Sequence, residues 1–138
     1  MRRIFVDTNV ILDVLLQREE FWEDSLTLFK LAESDHIRAY VSASSMTDVF
    51  YVVKKKLSMP VARKTIENLL YLFDVVSVDY EDLRGALSIP IDDFEDALQA
   101  HCAVKVKADV LVTRDVGGFK NIGIAVTSPA DFDKVRNS

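Results

Sequence analysis

The chain has 138 residues, 49% of them hydrophobic and 28% charged. That is long enough to bury a core without disulfide or metal support and too apolar to remain disordered, so one domain is expected over residues 1–138. A single cysteine, Cys102, and two histidines, His36 and His101, exclude an internal disulfide and the common His/Cys zinc sets. A formal net charge of -5 excludes attraction of a polyanion by the molecule as a whole, so a nucleic-acid partner would need a local basic patch or a bridging cation.

The first segment, MRRIFVDTNVILDVLLQR, has basic and then apolar residues, but Asp7, Asn9 and Asp13 interrupt any signal-peptide core. No apolar run reaches membrane-spanning length. With the cysteine usage, this makes a reducing cytoplasm the expected compartment.

Short β-branched apolar runs then recur along the chain: RIFV at 3–6, AYVS at 39–42, VVSV at 75–78, VLVT at 110–113 and IAVT at 124–127. Between the first two, helices are expected from about Asn9 to Gln17 and from about Glu20 to Ser34. Met46, Val49, Phe50, Val53 and Leu57 recur at helical spacing, which predicts a helix near Ser44–Leu57 whose Lys54–Lys56 end suits the negative pole of the helix dipole. Pro60 sits at or near the first turn of the helix in SMPVARKTIENLLYLFD, and a short helix follows around Asp82–Ser88. Ser128 and Pro129 open a terminal helix as N-cap and first helical residue. Continuous apolar strands alternating with helices predict an α/β sandwich, with a mostly parallel sheet of about five strands covered on both faces.

The stretch IDDFEDALQA, residues 91–100, holds four acids in five positions. Asp92 and Glu95 have capping-box spacing and would start the helix, sharing a polar arc with Gln99. Asp93 and Asp96 fall instead on the face of Ala97, Ala100, Ala103 and Val104. A lone carboxylate on an apolar face is costly, so either Asp96 pairs with a lysine or arginine, or it has a chemical use.

Open α/β sheets bind ligands beyond the carboxyl ends of their strands. Asp7 follows the first strand directly and Asp115 follows the fourth, with Gly117 and Gly118 behind it for a tight turn. Asp7 has an ordinary N-cap role open to it, and Asp115 an ordinary loop role. Convergence of Asp7, Asp96 and Asp115 at one sheet edge would create like-charge repulsion, which a divalent cation relieves. Oxygen-only ligands favour Mg²⁺ or Mn²⁺ over zinc.

VDTNVILDVL, SASSMTDVFYVV, DFEDALQAHCA, VLVTRDVGGF and VTSPADF, in this order and spanning nearly the whole chain, resemble the PIN-domain nucleases, especially the VapC-like toxins of prokaryotic toxin-antitoxin pairs. The resemblance implies a PIN-like three-layer sandwich and a metal-dependent endoribonuclease whose acids map onto Asp7, Asp48, Asp96 and Asp115. Asp48 stands where the family more often has Glu, one methylene longer. It also lies opposite the apolar stripe of its helix, so a solvated surface role stays open. Asn9 and Thr113 match polar positions that would orient Asp7 and Asp115 or a water, and Asp93 would support or join the metal site. Arg114 is the first candidate for RNA-backbone contact, with Lys120, Lys54–Lys56 and Arg18 behind it. The resemblance further implies a homodimer and an inhibitory antitoxin. Phe21, Trp22 and Tyr51 could serve such contacts, although core packing is their default role.

Two other readings compete. A haloacid-dehalogenase-like phosphatase also places an acid after its first strand, but Asn9 stands where its second motif acid belongs. A catalytically silent PIN-like module that binds RNA or protein is suggested by Asp48 in place of Glu.

Overall fold

The computed structural model describes residues 1–136. Five strands, β1 (Arg2–Val6), β2 (Ile37–Ser42), β3 (Asp74–Val76), β4 (Val110–Val112) and β5 (Ala125–Thr127), pair in the order β3-β2-β1-β4-β5. Every pairing is parallel. The helices are α1 (Thr8–Leu15), α2 (Trp22–Glu33), α3 (Ala43–Lys56), α4 (Met59–Leu72), α5 (Tyr80–Leu87), α6 (Phe94–Lys105) and α7 (Pro129–Arg136), with a 3-10 turn at Val116–Phe119. None of the described helices is long and apolar enough to cross a membrane.

Alternation along the strands builds two cores. Ile4, Val6, Ala39, Val41, Val110 and Val112 face one way and pack against α1, α2, α3, α4 and α7. Phe5, Tyr40 and Leu111 face the other way, against α5 and the alanine-rich side of α6. Each fully buried Ile, Leu or Phe contributes about 1.5–3 kcal/mol. The three layers match the expected sandwich, and Pro60 lies in the first turn of α4, which is capped by Ser58.

Among the helix starts that differ from expectation, two have a clear cause in capping. α5 begins two residues early, because Asp79 and Asp82 form a reciprocal capping box. The Asp92/Glu95 box does not form: Asp93 caps α6, accepting from the Asp96 N–H at 2.9 Å. Ile89 and Ile91 pack against the second core, and the Ile91 N–H bonds the Ile89 carbonyl at 2.8 Å. That turn carries the chain one residue further before the helix starts.

The first strand is central, and the chain moves outward from it to β2 and β3 before returning on its other side at β4 and β5. The direction of winding therefore reverses between β1 and β4, where the connections diverge and leave a crevice at the strand ends. The Asp7 N–H donates to the Val112 carbonyl at 3.0 Å, closing the ladder at the floor of that crevice.

Candidate active site

Three segments line the crevice: Asp7 and Asn9 after β1, Asp93, Glu95 and Asp96 at the start of α6, and Thr113, Arg114 and Asp115 after β4. Asp7 is only 7% exposed. Its Oδ1 accepts from the Thr8 N–H at 2.8 Å, capping α1, while its Oδ2 accepts from Thr113 Oγ1 at 2.8 Å. Thr113 Oγ1 in turn accepts from the Asp115 N–H at 3.1 Å, so one hydroxyl sets the relation between the two acids. A Cβ on Gly118 would stand 2.6 Å from Asp115 Oδ2, so glycine lets the 3-10 turn fold close beneath that carboxylate.

Beneath this floor lies Gln99, 1% exposed. Its Nε2 donates to Ser45 Oγ at 2.8 Å and Thr8 Oγ1 at 2.9 Å, with Asp7 Oδ1 at 3.4 Å. The expected polar arc of α6 is thus corrected. Asp92 and Glu95 are exposed, but Gln99 turns inward, because its amide finds buried hydroxyls on α1 and α3.

The carboxylates strain against one another. Burial pushes the Asp96 pKa up, and Asp93, Asp7, Asp115 and Glu95 add repulsion, bringing it to about 6. Glu95 is raised by burial and then by Asp48, Asp7 and Asp93. Asp7 is also raised by burial, although its bonds from Thr113, Thr8 and Gln99 oppose the shift. Arg114 lines the same opening but is engaged elsewhere: its Nε lies 2.9 Å from Asp13 Oδ2 and its guanidinium stacks 4.2 Å from the Phe21 ring centre. Asp13 is fully buried and also meets Arg18 Nη1 at 3.4 Å.

Such an oxygen-only set suits a hard divalent cation, which would remove the repulsion that raises Asp96. Among the described residues no three acids, histidines or cysteines form a ready-made coordination group, so binding would draw the carboxylates inward. The donor chemistry and the unbalanced charge fit such an ion.

Asp7, Asn9, Asp93, Asp96, Thr113, Arg114 and Asp115, singled out in the sequence, therefore surround one opening. Asp48 does not line it. It is exposed on α3, with its own pKa raised by burial, yet it is near enough to Glu95 to raise that residue's pKa. Lys120 lies beside an adjoining groove that shares Asp93 and Asp96. Arg18 and Lys56 border a separate depression with Leu15, Leu16 and Leu57. Tyr51 is 67% exposed rather than in the core, and Phe21 covers Arg114. Sequence reasoning assigns no site role to Glu95, Gln99, Thr8, Ser45 or Asp13; Gln99 carries no inward signal, because its helical phase groups it with Asp92 and Glu95.

The solved structures most similar in fold include VapBC from Salmonella typhimurium bound to DNA, 20% identical with a TM-score of 0.71 over 94% of this chain and 99% of that one. VapBC2 from Rickettsia felis, bound to a promoter DNA fragment, is 17% identical with a TM-score of 0.68 over 91% and 98% of the two chains. VapC20 from Mycobacterium tuberculosis, a toxin that cleaves the sarcin-ricin loop, is 16% identical with a TM-score of 0.62 over 78% and 86%. No curated protein matches in sequence. The PIN domain family matches residues 3–117, most of the chain and every segment that lines the crevice, and the chain belongs to that family.

Proposed function

We propose that the protein is a metal-dependent endoribonuclease that hydrolyses RNA phosphodiester bonds, and that it serves as the toxin of a VapBC-like toxin-antitoxin pair. The observation that carries this reading is the gathering of Asp7, Asp96 and Asp115 from three separate segments at the strand-order reversal, where Asp7 and Asp115 both repel the Asp96 carboxylate. Asp7, Asp96 and Asp115 would hold Mg²⁺ or Mn²⁺, with Asp48 and Glu95 supporting from the α3 side. A bound ion of this kind supplies Lewis acidity at the phosphoryl oxygen and a water that loses its proton near neutral pH.

The protein's own groups have definable tasks. Thr113 fixes the Asp7 carboxylate and the Asp115 backbone together. Asn9, exposed at the opening, can orient a water or a phosphate oxygen. Arg114 lines the opening while its Nε is held by Asp13, so contact with the RNA backbone, which would not read its sequence, has to be shared with that ion pair. Neither histidine lines the opening, so a carboxylate, not an imidazole, would receive the proton of the attacking water.

The VapBC structures most similar in fold support an antitoxin partner for this chain, and we propose a homodimer acting in the cytoplasm as its assembly and setting. The competing reading, a silent PIN-like module, is favoured by one observation: Asp48 is short and lies outside the lining of the opening. RNA binding and cleavage measured together separate the two, using structured RNAs in EDTA, Mg²⁺ and Mn²⁺ with Asp7→Asn alongside. Metal-dependent cleavage lost in folded Asp7→Asn supports the nuclease. Binding that is never followed by cleavage supports the silent module.

A further inference from the structure

Gln99 pays for its position with an unsatisfied atom. Its Oε1 is buried without a hydrogen-bond partner, whereas a methionine or leucine would fill much the same volume with no such cost. What the amide adds is donation from Nε2 to three oxygens on two other elements, Thr8 and Asp7 at the β1–α1 junction and Ser45 on α3.

The sequence spacing gives these contacts a direction. Gln99 lies three residues beyond Asp96 and four beyond Glu95, while Ser45 lies three before Asp48. On a helix these separations place residues on one face about a turn apart. The 2.8 Å bond from Gln99 to Ser45 therefore joins α6 to α3 one turn beneath the acids that the two helices carry. Above the joint, Glu95 and Asp48 repel across the same gap. Below it, Ser45 continues the chain of hydroxyls to Thr8 at 2.6 Å and to Ser42 at 2.9 Å, and Ser42 caps α3. Nε2 has two hydrogens for three oxygens. The two short bonds go to the hydroxyls, so Gln99 reaches Asp7 mainly through Thr8.

We propose that Gln99 is a positioning residue, a buried brace that holds α6, α3 and the β1–α1 junction at the separation their carboxylates need to share a divalent cation. The inference rests on the metal-dependent reading above and adds the element that spaces its ligands. Gln99 is buried and does not line the opening itself.

Calorimetric titration of Mn²⁺ into wild type, Gln99→Met and Ser45→Ala tests it, with circular dichroism and thermal melting in EDTA as the check on folding. Removing a residue that orients metal ligands typically weakens metal binding about 10- to 100-fold. The expected result is at least about a 10-fold rise in the Mn²⁺ dissociation constant for folded Gln99→Met and a several-fold rise for Ser45→Ala. The double variant should lose less than the product of the two, because both remove the same bond. Single-turnover RNA cleavage by Gln99→Met should recover to near wild type at saturating Mn²⁺, a split that general loss of fold would not give. Unchanged Mn²⁺ affinity in folded Gln99→Met would overturn the proposal; should that variant not fold, the same result for Ser45→Ala would do so. A wild type that binds no Mn²⁺ would overturn the metal-dependent reading as well, whereas equal binding by wild type and variants would remove the brace alone.

Discussion

Asp82 and Asp96 sit on neighbouring helices, α5 and α6, packed against the same core, and their surroundings are opposite. Asp82 accepts from Lys105 Nζ at 2.8 Å and from the Asp79 N–H at 3.0 Å, and pairs with His101 Nε2 at 2.9 Å. The Lys105 bond, with the others behind it, holds its carboxyl well below the usual range. Asp96 is pushed up to about 6 by burial and by four other acids. The first carboxylate fastens two helices together. The second is held at a cost in stability, as expected of a group with the chemical task proposed for it.

The largest effect that would sharpen this contrast is on catalysis. Asp96→Asn should lower metal-dependent RNA cleavage by roughly 1,000-fold, the scale seen when a group that stabilises transition-state charge is removed. Asp82→Asn should leave cleavage within about threefold at temperatures where it stays folded, a residue outside the site being removed. Comparable losses from both variants would break the division between them.

Stability should reverse the ranking. Asp82→Asn should cost about 2 kcal/mol in urea unfolding at pH 7, less than a fully buried pair because Lys105 is partly exposed. Asp82 has a depressed folded pKa, so its contribution is present above the unfolded value of 3.8 and is lost as pH falls below it. The gap between wild type and Asp82→Asn should therefore close in acid.

Asp96 has the other sign. Its folded pKa is raised, so between pH 3.8 and about 6 the folded state holds more protons than the unfolded state, and stability falls as pH rises through that window. In EDTA at pH 7.5, Asp96→Asn should be more stable than wild type by about 1–2 kcal/mol, after allowing for partial exposure. The gain should fade from pH 6 towards pH 4, as thermal melts across that range would show.

A smaller difference concerns the α3 side of the opening. Glu95 lines it and Asp48 does not, so Glu95→Gln should reduce cleavage about 10-fold and Asp48→Asn only about two- to threefold at subsaturating Mn²⁺. The reverse order in single-turnover rates would restore Asp48 to the metal.

Much of this arrangement was legible in the sequence. The strands are legible as β-branched runs, and the rule that ligands gather at carboxyl ends points to Asp7 and Asp115 from their place after β1 and β4. Asp96 was legible as an acid on an apolar helix face. The cap of α6 was not, because Asp92 and Asp93 are equally good caps locally and the choice between them depends on Ile89 and Ile91 reaching the core. Gln99 was misplaced for a related reason: helical phase gives direction, but only the tertiary fold brings Thr8 and Ser45 within reach of its amide. Arg114 reads in the sequence as a candidate RNA-backbone contact beside Asp115, while its partners Asp13 and Phe21 lie about a hundred residues earlier in the chain.

The most direct measurement is single-turnover cleavage of structured RNA by EDTA-treated protein as Mn²⁺ is added, run with wild type, Asp96→Asn and Asp82→Asn together. The expected result is no cleavage in EDTA, a metal-dependent rise for wild type and Asp82→Asn, and almost none for Asp96→Asn. Cleavage that persists in EDTA, or that Asp96→Asn performs as well as wild type, would contradict it.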